Sequence, residues 1–145
     1  MTATDIVLVA QAIASGVMCG IAWFVQVVHY PAFARIPPEA AAAYARENQR
    51  ITARVVLPPM LVEAAAAAWL VLFPPSGIGR AAALVGLALV GITTLSTAAV
   101  QVPLHARLAA GHDPAAVDRL VHSTWVRTAA WTARAVLAAW MLRAG

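Results

Sequence analysis

Glu63 and Arg134 each stand well inside a long apolar stretch of the chain. A charge at such a position is costly unless it turns inward and finds a partner. A carboxylate and a guanidinium at that depth can relay a proton, clamp an anionic substrate group or form a structural ion pair. A second set of polar side chains gathers towards the ends of the same stretches: Gln26, His29, Gln101, His105, His122 and Arg127. Histidine changes charge near neutral pH and serves as general acid, general base or metal ligand. Arg127 offers a planar fork suited to a carboxylate or phenolate, and Trp131 lies one helical turn further on. The candidate catalytic residues are therefore His29, His105, Glu63 and Arg134. The candidate substrate-binding residues are Arg127, Gln101, Gln26 and Trp131.

Imidazole and carboxylate together suit iron or zinc. Any metal would draw its ligands from His29, Glu63, His105 and His122, and a haem would be held by His29 and His105. The sequence has neither the Glu-x-x-His pairs of di-iron bundles nor a His-Glu-x-x-His helix. No metal or haem is assigned on this basis, and the cofactor is left unknown. Phosphate-binding loops, nucleophile elbows and Ser/His/Asp patterns are also missing.

The elements that must position these residues follow from composition. The chain has 145 residues, 62% hydrophobic and 11% charged, with a mean hydropathy of +0.78. Soluble domains are about 25% charged, so a soluble fold of this sequence could not cover itself with polar surface. Stretches at roughly 6–28, 55–73, 81–102 and 121–142 approach the ~20 apolar residues that cross a bilayer. The reading is an all-α integral membrane four-helix bundle, one domain over residues 1–145. Residues 6–28 are read as a retained span, because no positive charge precedes them and the run is long for a signal peptide. Cys19 is alone, which excludes a disulfide framework.

Loop one, from Tyr30 to Arg54, is expected to hold an additional amphipathic helical segment after Pro37-Pro38, with Arg46, Arg50 and Arg54 on one face. In loop three, Asp113 can cap a helix and Pro114 suits its first position. The net charge of +4 comes from arginine alone. Loops one and three hold Arg35, Arg46, Arg50, Arg54, Arg107 and Arg119, against Arg80 and Arg143 on the opposite side. The positive-inside bias then places loops one and three in the cytoplasm and both termini outside, in a cell (inner) membrane. The same bias accounts for the pI near 10.6 without a nucleic-acid partner. The expected partners are the lipid bilayer, a hydrophobic small molecule and a second copy in a homo-oligomer.

Each span carries a polar stripe at helical spacing: Gln11, Ser15, Gln26 and His29; Thr52, Pro59 and Glu63; Thr94, Thr97, Gln101 and His105; Ser123, Arg127, Trp131 and Arg134. Four such stripes predict a polar bundle interior, with a polar cavity at the cytoplasmic end. Pro58-Pro59 and Pro103 free backbone carbonyls nearby.

Tyr30-Pro31-Ala32-Phe33-Ala34-Arg35-Ile36-Pro37, Val102-Pro103-Leu104-His105 and the run from Trp125 to Arg134 resemble, in order, motifs of the anthrone oxygenase-like family of bacterial four-span membrane proteins. The resemblance implies a four-helix membrane bundle and, more remotely, an oxygenase acting on aromatic polyketides. Two positions depart from the family pattern. His105 stands where asparagine is usual, and Thr132-Ala133 replaces a common Asn-His. Three functions follow: a membrane oxidoreductase or oxygenase for a hydrophobic aromatic or quinone-like substrate, a small oligomeric transporter or binder of an anionic solute, and an accessory membrane protein with a structural polar core.

Overall fold

The computed structural model describes residues 1–145 and is all-α, built from four long helical rods without strands. The rods are α1 (Ala3–Arg35), α2 (Pro38–Leu72), α3 (Arg80–Ala110) and α4 (Pro114–Ala144). Thr2 opens α1 with a capping box: its hydroxyl accepts from the Asp5 N–H while the Asp5 carboxylate accepts from the Thr2 N–H. Asp113 caps α4 as its type and place predict, accepting from the Ala116 N–H at 2.9 Å, and Pro114 follows at the first helical position. Arg107 closes on the same carboxylate at 2.6 Å.

Three of the four rods, α1, α2 and α3, are long and apolar enough to cross a membrane. The fourth expected span, 121–142, lies within α4, which has the length but not the uniform apolarity. The reason is its inward face, where Thr124, Thr128 and Arg134 are buried. Its outward side chains, Trp125, Val126, Val136 and Trp140, are apolar and exposed. α4 packs chiefly on α1 and α3, and α2 packs on α1 and α3.

The additional helical segment expected in loop one after Pro37-Pro38 is present and continues without a break into the second span. Residues 38–72 form one 35-residue helix running straight into the second span. Nothing between Glu39 and Leu57 breaks a helix, and Pro58-Pro59 are accommodated inside it. Arg46 donates to the Ala109 carbonyl at 2.7 Å, which fixes the N-terminal part of α2 against the end of α3. The arginine-rich connections therefore share one end of the bundle.

Both α1 and α3 contain a π turn, at Val25–His29 and Thr97–Gln101. Each is followed by a residue and then a proline, Tyr30-Pro31 and Val102-Pro103. Proline brings no N–H to the ladder, and the residue before it donates one step further back: Tyr30 to Val25 and Val102 to Thr97. Such single π turns recur at functional sites.

Only 33 of the 145 residues are buried, while large apolar side chains such as Ile13, Phe24, Leu61, Leu95 and Val136 are exposed on all four rods. Apolar exposure on that scale suits lipid and not water. The buried apolar groups form three clusters along the bundle. One joins Tyr30, Phe33, Leu104, Leu108 and Leu120 at the arginine-rich end. Another joins Leu8, Leu70, Ile78, Ala83 and Met141 at the other end. Met18, Ala22 and Trp131 lie between them.

Candidate functional site

The sequence-predicted residues separate into two regions. The first is a closed charge cluster. Arg134 Nε donates to Glu63 Oε2 at 2.7 Å, and Arg134 Nη2 donates to Gln11 Oε1 at 2.5 Å. The Ser15 hydroxyl donates to the other Glu63 oxygen, and Gln11 Nε2 reaches Met141 Sδ at 3.4 Å. Arg134 and Glu63 are 1% and 0% exposed, so this pair is sealed from solvent and lipid. α1, α2 and α4 thus each contribute a member, and α3 contributes room. A Cβ placed on Gly86 would stand 2.8 Å from Arg134 Nη1. Gly86 was not among the sequence candidates, because a missing side chain leaves no chemical signature.

The second region is a partly open cavity of about 240 Å³ between all four rods. Of its 18 lining residues ten are hydrophobic and eight are polar or charged, so the lining is mixed. Its apolar wall is made by residues such as Met18, Ile21, Val25, Val56 and Met60. Polar groups meet at one end, where Tyr30, Gln101, His105 and Arg127 stand, and Asn48, Gln49, Thr52, Thr97 and Thr124 also line the cavity. Its exposed lining residues are Gln49 and Leu57 on α2 and Val102 on α3, so the mouth lies between these two rods.

Within the polar end the Tyr30 hydroxyl meets His105 Nε2 at 3.1 Å. The rings of Tyr30, His105, Phe33 and His29 pack as edges and faces, with centroids 5.4–6.3 Å apart. Arg127 is near enough to Tyr30 and His105 to act on both electrostatically. Gln101 is held by Ser96 at 3.2 Å and Ser123 at 3.4 Å. Six buried side-chain atoms lack a partner: Arg127 Nε and His105 Nδ1 at the cavity, His29 Nε2 and Gln26 Oε1 behind it, and Trp131 Nε1 and Arg134 Nη1 deeper in the bundle. Buried polar atoms are normally satisfied, and two of the exceptions, Arg127 Nε and His105 Nδ1, belong to residues that line the cavity.

The predicted residues are distributed between these regions and beyond them. His105, Arg127 and Gln101 line the cavity. His29 lies behind its polar end, stacked on Phe24 at 6.3 Å and edge-on to Phe33 at 5.4 Å. Gln26 turns away and donates to the Val121 carbonyl at 3.0 Å. Trp131 is fully buried and packs with Met18 and Ala22 behind the cavity wall. Glu63 and Arg134 belong to the closed cluster. His122 is exposed and bonds the Asp118 carbonyl through Nδ1 at 2.8 Å, which removes it from a metal set with His29, Glu63 and His105. No group of three His, Cys, Asp or Glu side chains is gathered to hold a metal ion.

Tyr30 was missed as a site residue. Its signal was the Tyr-Pro step, since the π turn before Pro31 brings Tyr30 inward. Thr132, where the family resemblance has asparagine, ties α4 to α1: it accepts from Trp23 Nε1 at 3.0 Å and donates to the Thr128 carbonyl at 2.7 Å. The neighbouring Ala133 is exposed on the outer face. No family model, curated protein or solved structure matches the chain.

Proposed function

We propose that this multi-pass membrane protein binds a hydrophobic aromatic or quinone-like molecule in its intrabundle cavity and moves a proton at that molecule's oxygen, as an oxidoreductase or oxygenase. The observation that carries this reading is the meeting of Tyr30, His105 and Arg127 in a cavity more than half of whose lining residues are hydrophobic. An apolar pocket with a few convergent polar groups is the usual form of a small-molecule site. In this reading all four rods cross the bilayer, α4 with its polarity turned inward, and the arginine-rich end is cytoplasmic.

His105 is the acid–base residue, and Tyr30 sets its orientation through their hydrogen bond. Arg127 stabilises negative charge developing on substrate oxygen. Glu63 and Arg134 hold the helices in register and do not touch the substrate. The oxygenase step draws on the anthrone oxygenase-like motifs. A CH2 flanked by aromatic rings reacts with dioxygen to give C=O and water, so one oxygen atom enters the product and the substrate supplies the electrons. The outward position of Ala133 means that the histidine common at that place in the family would not reach this cavity. Transport of an anionic solute is the weaker alternative, because Trp131 and the closed Glu63–Arg134 cluster fill the bundle beyond the cavity.

The test offers anthrone-type tricyclic aromatics to the protein in lipid nanodiscs and follows oxygen uptake and quinone absorbance. His105→Ala and Arg127→Ala are each expected to slow turnover about 10²-fold or more. Turnover unchanged in both variants would overturn the assignment. An ultraviolet–visible spectrum and metal analysis of the same sample decide whether a haem or metal takes part.

A further inference from the structure

Arg127 is a cavity-lining cation with no counter-ion. The three ion pairs of the chain use Arg50, Arg107 and Arg134, and the Arg127 Nε is buried without a partner. Beside it stand the Tyr30 hydroxyl and the His105 imidazole, and no carboxylate lines the cavity. Six acidic residues exist in the chain. Only Glu63 is buried, and it is committed to Arg134 and Ser15. The protein itself therefore brings no negative charge to the cavity. Arg127 is half-buried with its Nε sealed from water, and a guanidinium that faces a cavity with no counter-ion favours an anion there.

Resting on the reading of this cavity as a ligand site, we infer that the bound form of the ligand is an aromatic mono-anion. Its carboxylate, phenolate or enolate oxygen lies on the Arg127 fork, within reach of Tyr30 and His105. The ring system lies against Met18, Val56 and Met60. The volume of about 240 Å³ is just below the ~300–1,000 Å³ common for drug-sized ligands, which suits a compact fused-ring body and not a whole lipid. Planar guanidinium and planar oxyanion match geometrically. A neutral aromatic of the same shape fills the apolar wall equally well but leaves Arg127 uncompensated.

The full chain in nanodiscs of zwitterionic phosphatidylcholine is titrated with 2-naphthoate and with its neutral isostere 2-acetylnaphthalene, reading naphthalene fluorescence. The anion is expected to bind about tenfold tighter or more, as a charge-assisted hydrogen bond supplies. Arg127→Gln should bring the anion to the affinity of the neutral compound and leave the neutral compound unchanged. Arg127→Lys should keep the preference in part. Equal affinity of the two compounds for the unaltered protein overturns this inference and leaves the cavity reading standing. Saturable binding of neither compound overturns both. If Arg127→Gln loses its helical circular dichroism, the ratio for the unaltered protein and for Arg127→Lys still decides.

Discussion

Arg134 and Arg127 lie two turns apart on the same helix and face opposite circumstances. Arg134 has Glu63 at 2.7 Å and Gln11 at 2.5 Å in a cluster sealed from solvent, with only its Nη1 left without a partner beside Gly86. Arg127 has a cavity in front of it, no ion-pair partner and an unsatisfied Nε. A charge paired with a carboxylate holds helices together, and Arg127, which has no counter-ion, is the one proposed to bind. Depth alone does not separate structure from function here. The presence of a counter-ion does: each arginine keeps one buried nitrogen without a partner, but only Arg134 has a carboxylate.

The largest test of that contrast is stability. Removing one partner of a buried ion pair costs about 3–5 kcal/mol, so Glu63→Gln and Arg134→Gln should each lower stability strongly in a detergent unfolding titration. The double substitution should recover part of the loss through coupling between the two. Arg127→Gln should change stability by less than about 1 kcal/mol, because no internal pair is broken. A large loss there with little loss at Arg134 would reverse the comparison.

Next in size is Gly86→Ala, which drives a methyl into Arg134 Nη1. Overpacking of this kind costs about 1–3 kcal/mol, and the same unfolding titration reads it. Ala53→Leu acts on the other region. Ala53 lines the cavity, so the larger side chain should fill it, raise stability by roughly 0.5–2 kcal/mol and abolish naphthoate binding. Retained binding would place the ligand elsewhere. Tyr30→Phe removes the hydroxyl from His105 and should cost about 1 kcal/mol, while slowing turnover more than it weakens binding.

The smallest effect lies at the helix start. The Ala116 N–H, aided by Arg107, holds the Asp113 carboxyl below the usual carboxylate range. Its stabilisation is therefore full above the unfolded value of about 4 and is lost as pH falls through the lower folded value. Asp113→Asn should flatten that part of the acid profile, measured by thermal unfolding between about pH 5 and pH 2.

Much of this was legible from residue types. Glu63 and Arg134 share a depth because their distances from the span ends are similar, and Gln11 and Ser15 fall on the same stripe. Helical spacing also placed Gln101, His105 and Arg127 inward. Spacing failed where the helix is not regular. The π turn at Thr97–Gln101 inserts a residue, so the stripe extrapolated back from His105 reaches Thr94, which is exposed, while Thr93 is buried. The π turn at Val25–His29 likewise brings Tyr30 to the cavity while His29 stays behind its polar end. The apolar wall was not legible, because Met18, Val56 and Met60 look the same in sequence as side chains turned to lipid. The helix after Pro37-Pro38 was legible from the four-residue spacing of its arginines, but its continuity with the second span was not, because a polar face gives way to an apolar one without any helix breaker.

The most direct test of the whole account is one thermal unfolding series in nanodiscs, on the unaltered protein, Arg127→Gln and Arg134→Gln, each with and without 2-naphthoate. A ligand that binds only the folded state raises the melting temperature. The account predicts that Arg134→Gln melts much lower but is still stabilised by the ligand. It predicts that Arg127→Gln melts near the unaltered protein and gains nothing from the ligand. A destabilised Arg127→Gln that still responds to naphthoate, beside an Arg134→Gln that does not, would contradict the division of this bundle into a structural charge and a binding charge.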